Sequence, residues 1–191
     1  TMCDAYGLTF YGIQKYLKVE GHLDWVSREK AGGAIVELSR AIKASLDRSL
    51  VEPNKAKAYL KDVALKASEL NQPLTWTTPS GFKVVHYYNK VSTRRSLAKL
   101  FNNKELTFFV RTKDVDVRGA CQAISPNFVH SLDAAHMFLT ILKMHEAGIE
   151  DYCMIHDSYG CHPNHVDIMS EIIRETFREL HCENQLEKFK T

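Results

Sequence analysis

The chain has 191 residues, of which 45% are apolar or aromatic, so it can bury a core in one large domain or two small ones, and disorder is excluded. The 25 basic and 23 acidic residues give a net charge of +2, which is too small to indicate a polyanion partner. Five cysteines without regular spacing predict reduced thiols in an intracellular, reducing compartment, and no apolar run is long enough for us to expect a membrane partner.

The first third of the chain has the spacing of helices. Its N-terminal segment carries Gly7 and Gly12 among aromatic residues, and because glycine weakens a helix by ~1 kcal/mol relative to alanine, we expect another group to approach closely there. Ser27 is placed to cap a helix that reaches about Leu50. Pro53, a residue suited to a first turn, predicts the start of a second helix.

The composition then changes to that of β-structure. Segments 74–78 and 82–88 are rich in β-formers and flank a Pro-Ser-Gly turn, which predicts a β-hairpin. A further strand is predicted over 105–112, followed by a loop or strand end. In that loop Asp114 and Asp116 are a conceivable metal pair, although charges that alternate beside a glycine are usually solvated.

The next helix carries a cluster of polar residues. Ser125 as a cap and the proline after it as a first-turn residue predict a helix over 126–147. Helical spacing places Asn127, His130 and Ser131 near one another on its surface. A single histidine in a helix is more often structural than catalytic, so this pattern alone does not assign a function.

A short apolar run ends at Ile155-His156-Asp157-Ser158 and is followed by turn formers and a last helix that opens at Asn164. This pattern predicts a buried strand and a hairpin with a carboxylate at its tip. A carboxylate there needs a cation or donors, so Asp157 is a candidate metal ligand. The alternative is an Asx turn in which Asp157 accepts backbone N–H groups. The cysteines and histidines nearby do not match a tetrahedral zinc pattern.

Three separated segments together resemble one family, the single-subunit DNA-directed RNA polymerases of phage and mitochondrial type. Residues 2–7 are similar to the end of the family's fingers helix, which finishes in Tyr-Gly. Residues 125–137 resemble its Pro-Asn-Phe-(Val/Ile)-His-Ser helix, and residues 155–158 resemble its palm carboxylate motif. The hairpin segment 76–82 also matches a family segment, so four motifs follow the family order.

The resemblance implies an α+β fold. We expect a mostly helical fingers portion with a β-hairpin over residues 1–125, followed by a palm portion over 126–191. In the palm portion a long helix would pack on the β-hairpin that carries the catalytic Asp157. The chain then reads as a piece of a longer polymerase, and we expect it to be inactive alone.

The resemblance also implies roles for individual residues. Asp157 would be a ligand of two Mg²⁺ ions, whose other aspartate comes from a palm segment that this sequence does not contain. Tyr6 and Gly7 would lie at the nucleotide insertion site, where the phenol senses the ribose 2′-hydroxyl. His130 would belong to the same sensing network, and His156 would support the primer end and the metal site.

The implied reaction is transfer of ribonucleoside triphosphates onto an RNA 3′-hydroxyl, with a DNA template, an RNA transcript and the remainder of its own chain as partners. The implied compartment is the cytoplasm of a phage-infected host or the mitochondrion. One alternative is a family A DNA polymerase, although Ser158 stands where that family normally has glutamate. The other is an inactive nucleic-acid-binding module that keeps the fold.

Overall fold

A computed structural model describes residues 8–98 and 104–189. The helices are α1 (Phe10–Val19), α2 (Arg28–Ser49), α3 (Val51–Glu69), α4 (Val117–Glu146), α5 (Val166–Cys182) and the short α6 (Gln185–Lys188), with a 3₁₀ turn at Pro163–His165. The strands are β1 (Leu74–Thr77), β2 (Lys83–His86), β3 (Asn89–Ala98), β4 (Lys104–Val115), β5 (Tyr152–Ile155) and β6 (Ser158–Cys161). Within these two ranges, no helix combines the length and the apolar character needed to cross a membrane.

The strands form separate antiparallel pairs, β1–β2, β3–β4 and β5–β6. Leu74 lies opposite His86 in the first pair, and Ile155 lies opposite Ser158 in the third. Both predicted hairpins are therefore present. Helices and isolated two-stranded ribbons alternate along the chain, which confirms the α+β fold class expected from the sequence.

Helices α2 and α3 follow the predicted pattern, with one shift at their junction. Helix α2 begins directly after Ser27, although the serine side chain makes no capping hydrogen bond. Leu50, at φ −111° and ψ 47°, breaks the helix, and α3 begins at Val51. The prediction that α3 starts at Pro53 is therefore wrong by two residues. Pro53 lies within the first turn, where proline is tolerated because its missing N–H would have no helical partner.

Helix α4 begins well before the position that the sequence suggested. Asp116 is its N-cap, and the Oδ1 atom of Asp116 accepts a hydrogen bond from the Gly119 N–H at 2.9 Å. Ser125 is buried inside the helix rather than capping it, and Pro126 is an interior residue. The earlier turns are held by burial of Ile124, which is 0% exposed, and this tertiary packing outweighs the one backbone hydrogen bond that a proline removes. The residue range 113–119, predicted as a loop or strand end, is the end of β4 and the first turn of α4.

The long ribbon β3–β4 was predicted only in part. The sequence indicated a strand over 105–112, whereas β4 runs from Lys104 to Val115 and pairs with β3, which was missed. Most side chains of β4 are exposed on both faces of the ribbon. A strand without a buried face has no apolar alternation, so the usual signal for a strand is absent from β3.

Two apolar clusters hold the elements together, one at each end of α4. The first cluster consists of buried residues of α3, β1, α4 and the C-terminal segment: Leu60, Ala64, Leu74, Trp76, Ile124, Phe128 and Phe189. The second consists of Met144, Ile149, Met169 and Ile172. Because α4 contributes to both clusters, it is the element against which the hairpins are positioned. The expected boundary at 125/126 falls inside this helix, and the division into two functional portions stays a prediction.

Helix α5 starts at Val166, after the 3₁₀ turn, and buries only part of the stripe that the sequence indicated. Met169 and Leu180 are buried as expected. Val166 and Phe177 were expected to face inward but are 45% and 55% exposed, so that part of the prediction is wrong. Ile172 takes the inward position, because α5 is covered on one side by α4 and β6 rather than all round.

Candidate active site on helix α4 and the β5–β6 turn

The β5–β6 hairpin presents Asp157 at its tip. Ile155 pairs with Ser158, so His156 and Asp157 are the two residues of a tight turn. His156 has a φ of +53°, a left-handed conformation that two-residue hairpin turns require and that few residues other than glycine adopt. Both turn residues are exposed. The tight turn therefore holds the Asp157 carboxylate in the open.

The expectation that β5 is a buried strand is wrong. Cys153 and Ile155 are exposed, Ile155 by 63%, while Tyr152 and Met154 are partly buried. The strand has one face against the body of the protein and one face outward, which an uninterrupted apolar run cannot reveal. Among the described residues no backbone N–H donates to the Asp157 side chain, so the hairpin tip is not an Asx turn, and the carboxylate keeps its acceptor positions.

A tyrosine two residues after Asp157 connects the hairpin to α4 and α5. The Tyr159 hydroxyl lies 3.2 Å from Nδ1 of His136, and Nε2 of His136 lies 3.1 Å from the Ile173 carbonyl oxygen. Because a carbonyl can only accept, His136 carries its proton on Nε2, and its Nδ1 accepts from the tyrosine. The His136 side chain therefore joins α4 to both β6 and α5.

Two buried threonines reinforce the α4–α5 contact beside this histidine. The hydroxyl oxygens of Thr140 and Thr176 lie 2.9 Å apart, and both residues are 0% exposed. Thr140 also lies 2.8 Å from the His136 carbonyl oxygen, and Thr176 lies 2.8 Å from the Ile172 carbonyl oxygen. Buried hydroxyls with partners in fixed directions set the relative rotation of two helices more strictly than apolar side chains do.

Charged residues from both α4 and the hairpin tip act on the Tyr159 hydroxyl. Burial raises the pKa of the Tyr159 hydroxyl above its usual value. A hydrogen bond with Thr140 partly opposes this increase, and the negative charges of Asp133 and Asp157 add to it. Both carboxylates therefore lie within electrostatic reach of one hydroxyl. The sequence places Asp133 in the polar set of this helix without assigning it a role, and its position three residues after His130 puts the two side chains on neighbouring parts of the helix surface.

His130 is exposed on the same helix. With about 100° between successive residues, His130 lies about 60° around the helix axis from Asn127 and about 120° from His136, with Asp133 midway between the two histidines. His130 and Asp133 thus form an exposed strip between the face bound by β1–β2 and the face bound by β5–β6. Since Asp133 acts on Tyr159, this strip borders the hairpin that carries Asp157.

The β1–β2 hairpin is bound to α4 through a buried histidine. His86 is 5% exposed, with its Nε2 3.0 Å from the Ala120 carbonyl oxygen and its Nδ1 3.2 Å from Nδ2 of Asn127. The carbonyl requires a proton on Nε2, so Nδ1 accepts from the amide. Asn127 Nδ2 also donates to the Tyr88 hydroxyl oxygen at 2.9 Å. Burial lowers the pKa of His86, which keeps the ring neutral and preserves this arrangement.

A tryptophan makes the second connection between β1–β2 and α4. Trp76 Nε1 donates to the Ser131 hydroxyl oxygen at 2.9 Å, and that hydroxyl donates to the Phe128 carbonyl oxygen at 2.7 Å. The Trp76 ring packs 6.0 Å from Phe128 and 5.4 Å from Phe189, centroid to centroid. Two polar residues of the Asn-Phe-Val-His-Ser motif, Asn127 and Ser131, therefore bind the hairpin, whereas His130 between them points away from it.

Asp157 is the candidate metal ligand of this site. Among residues 8–98 and 104–189, no three His, Cys, Asp or Glu side chains converge as a complete metal site. Asp116, half of the conceivable pair with Asp114, is occupied as the cap of α4. Mg²⁺ commonly takes only one or two protein carboxylates, with water and phosphate oxygens completing its shell. An exposed carboxylate on a tight turn fits that chemistry as one ligand of a larger site.

Tyr6 and Gly7, which the resemblance placed at the insertion site, lie outside the described residues. His156 and Asp157 are adjacent at the β5–β6 turn, and His130 lies on the neighbouring strip of α4. Sequence reasoning missed the connecting residues His86, Tyr88 and Tyr159. Their partners are 23 to 41 positions away in the chain, so no local pattern indicates the contacts.

Comparison with known proteins shows the family to which the chain belongs. The profile of the DNA-dependent RNA polymerase family matches residues 1–191, the whole chain. The chain belongs to this family, and the resemblance to single-subunit polymerases of phage and mitochondrial type is confirmed.

Individual relatives are plant organellar polymerases. The chain is 34% identical over 197 residues to DNA-directed RNA polymerase 1, mitochondrial, of Nicotiana sylvestris, covering 99% of this chain and 19% of that protein. It is 32% identical over 198 residues to DNA-directed RNA polymerase 2B, chloroplastic/mitochondrial, of Nicotiana tabacum, covering 100% of this chain and 19% of the relative. The chain thus spans about a fifth of the length of these two curated relatives.

Proposed function

We propose that this chain forms part of the catalytic centre of a DNA-directed RNA polymerase, which joins ribonucleoside triphosphates to the 3′-hydroxyl of an RNA transcript on a DNA template. The observation that carries the proposal is the exposed Asp157 on a tight turn, bordered by the strip of α4 that presents His130. Residues 1–125 would belong to the fingers and residues 126–191 to the palm, with α4 passing from one to the other.

Asp157 is the residue that would hold Mg²⁺, together with an aspartate from another part of the polymerase. When bound, two such ions supply charge stabilisation to the attacking and leaving oxygens of phosphoryl transfer. The chain's own contribution is to orient the carboxylate: the His156–Asp157 turn exposes it, and Tyr159 connects the hairpin to His136. His156, adjacent to Asp157, would support the RNA 3′-end.

Selection of ribose would use Tyr6, Gly7 and His130. A site that hydrogen-bonds the 2′-hydroxyl rejects a deoxynucleotide because its own polar groups are then left unpaired. His130 is an exposed imidazole with both donor and acceptor capacity, which suits it to such a network. Gly7 would leave room for the nucleotide beside the Tyr6 phenol.

The β3–β4 ribbon supports a nucleic-acid partner. Residues 89–115 contain seven Lys or Arg and two acidic residues, a net charge of +5, so the rest of the chain sums to −3. Arg94 lies opposite Phe108, and the neighbouring Phe109 is 75% exposed. Cationic side chains beside exposed aromatic rings suit phosphates and unstacked bases. We propose that this ribbon contacts the template DNA or the transcript.

The compartment of the complete protein would be intracellular and reducing. Cys121, Cys153, Cys161 and Cys182 are not in disulfides, although two of them are exposed. The plant relatives named above carry mitochondrial or chloroplastic in their names. Both observations support an organelle interior or the cytoplasm of a phage-infected host.

The test is template-directed incorporation by the full-length polymerase that contains this chain. We expect Asp157→Asn to abolish incorporation while circular dichroism shows an unchanged fold, because the substitution removes charge from an exposed side chain. Asp151→Asn, which changes an exposed carboxylate directly before β5, is the matched control and should stay active. The 191-residue chain alone should not extend a primer. Full activity of Asp157→Asn would remove Asp157 from the reaction, and an inactive wild-type enzyme would favour the binding-module alternative.

A further inference from the structure

We propose that Asn127 and Ser131 are positioning residues, which fix the rotation of α4 about its axis against the β1–β2 hairpin so that His130 faces the reacting nucleotide. The inference rests on the proposed function, in which His130 senses the substrate ribose. Neither residue needs to touch substrate in this role. Both lie within four positions of His130 on the same helix, so any rotation they permit moves the imidazole directly.

The hydrogen bonds of Asn127 fix the orientation of α4 relative to the β1–β2 hairpin. Its Nδ2 donates to Nδ1 of His86 in β2 at 3.2 Å and to the hydroxyl oxygen of Tyr88, two residues after β2, at 2.9 Å. The amide has two N–H groups, so both are used. The opposite side of the His86 ring is bound to the Ala120 carbonyl oxygen at 3.0 Å, which prevents the ring from turning away. The hairpin therefore holds α4 at two points seven residues, about two turns, apart.

Ser131 adds a third point on the same face. Its oxygen accepts from Trp76 Nε1 at 2.9 Å, and the tryptophan is 7% exposed within an aromatic cluster. With about 100° per residue, Ala120, Asn127 and Ser131 lie within an arc of about 40°. Four hydrogen bonds at three residues along one narrow arc oppose rotation of α4 in either direction, whereas apolar contacts allow small shifts.

The geometry makes His130 sensitive to this rotation. On a helix whose side chains reach a radius of about 6 Å, a rotation of 10° displaces a side-chain tip by about 1 Å. A displacement of that size at a reacting centre can lower a rate by about a hundredfold. Burial of Ile124 and Phe128 already supplies apolar packing at this end of α4, so the buried polar groups add orientation more than buried area.

The experiment compares variants of the full-length polymerase by single-nucleotide incorporation with ribo- and deoxyribonucleoside triphosphates. Asn127→Leu should lower kcat about tenfold or more, while KM for the triphosphate should change less. The ratio of ribonucleotide to deoxyribonucleotide incorporation should decrease. Gln122→Leu, an exposed amide replaced by leucine on the same helix, is the matched control and should behave as wild type. A merely structural residue would lower the amount of folded enzyme without changing the ribose preference.

The His86 variants test the same connection from the hairpin. Glutamine offers a donor and an acceptor on one planar group, so His86→Gln should keep most of the rate and the preference, whereas His86→Leu should resemble Asn127→Leu. Ser131→Ala removes one hydroxyl and serves if Asn127→Leu does not fold. Ser131→Ala should lower kcat and the ribose preference as Asn127→Leu does, but by a smaller factor.

The outcomes separate this proposal from the proposed function. If wild type incorporates nucleotides and Asp157→Asn does not, while folded Asn127→Leu and Ser131→Ala keep the wild-type rate and ribose preference, the positioning role is overturned and the polymerase function stands. If wild type itself incorporates nothing, the proposed function falls first. Loss of preference in Asn127→Leu and His86→Leu, with retention in His86→Gln and Gln122→Leu, supports the positioning role.

Discussion

The two hairpins that contact α4 differ in how they are held and in what they expose. Hairpin β1–β2 is bound to α4 through the buried Trp76 and His86, and Tyr88 just after β2 adds a further hydrogen bond. Hairpin β5–β6 is bound to α4 through the Tyr159 hydroxyl and presents Asp157 at its tip. The first hairpin uses its polar groups within the protein, whereas the second leaves a charged group available to a ligand.

The hairpin tips show the same difference. In the β1–β2 turn, the Thr78 hydroxyl accepts from the Phe82 N–H at 3.1 Å, so the tip is closed by its own hydrogen bonds. In the β5–β6 turn, His156 adopts a left-handed backbone and both turn side chains are exposed. In line with the proposed role of Asp157, we call β1–β2 the support hairpin and β5–β6 the site hairpin.

The largest effect on stability should come from the support hairpin. Trp76→Ala removes a ring that contacts Phe128 and Phe189, and we expect a loss of about 3–5 kcal/mol in the free energy of unfolding. Denaturant unfolding of the chain measures it. Trp25 is 82% exposed, so Trp25→Ala is the control and should change stability by less than about 0.5 kcal/mol. Equal effects of the two substitutions would contradict the assignment of Trp76 to the core.

The next effect concerns the buried hydroxyl pair behind the site hairpin. Thr140→Val leaves the Thr176 hydroxyl without its side-chain partner and should cost about 1–3 kcal/mol in the free energy of unfolding. The double variant Thr140→Val/Thr176→Val removes both hydroxyls and should be more stable than the sum of the single effects predicts. Strict additivity in a double-mutant cycle would show that the two hydroxyls do not interact.

Tyr159→Phe should have a smaller effect on global stability and a clear local one. It removes the hydrogen bond to His136 but keeps the ring, so we expect a loss of about 0.5–1.5 kcal/mol. Amide hydrogen exchange over residues 152–161 should become faster, because the hairpin loses its connection to α4. Tyr152→Phe on the same hairpin is the control, and an equal increase in exchange there would remove the special role of Tyr159.

The pH dependence of the support hairpin should be the smallest effect near neutral pH. Burial lowers the pKa of His86 below its ordinary value of 6.5, so the unfolded chain binds a proton at this histidine more readily than the folded chain does. The free energy of unfolding should therefore decrease as the pH falls below about 6.5. His86→Gln should reduce this dependence, as measured by unfolding at pH 5.5 and 7.5. The same dependence in His86→Gln would assign it to other groups.

The sequence predicted those parts of the fold whose pattern is local. Helix α2 and the hairpins β1–β2 and β5–β6 follow from apolar spacing and turn residues, whereas the fold class came from the family resemblance. The start of α4 was not predicted correctly, because Pro126 is a typical first-turn residue and the sequence does not show the packing of Ile124. Strand β3 was missed because its side chains are exposed on both faces, and the burial of β5 was overestimated because an apolar run does not show which side is covered.

The candidate site was predicted in part. His130, His156 and Asp157 were identified from motifs, and the structure places them on the strip and the turn described above. The partners of Asn127 and Ser131 were not predictable, because His86 and Trp76 lie 41 and 55 positions away. Side chains that position a site depend on tertiary contacts, and these follow from the complete fold rather than from a motif.

The most direct measurement is a map of the metal position in the full-length polymerase. Replacing Mg²⁺ with Fe²⁺ and adding ascorbate and peroxide cleaves the chain near the bound ion. We predict cleavage between Ile155 and Tyr159 that is strongly reduced in Asp157→Asn and unchanged in Asp151→Asn, the exposed carboxylate directly before β5. Cleavage confined to other parts of the chain, in an enzyme that still incorporates nucleotides, would contradict the claim that Asp157 holds the catalytic metal.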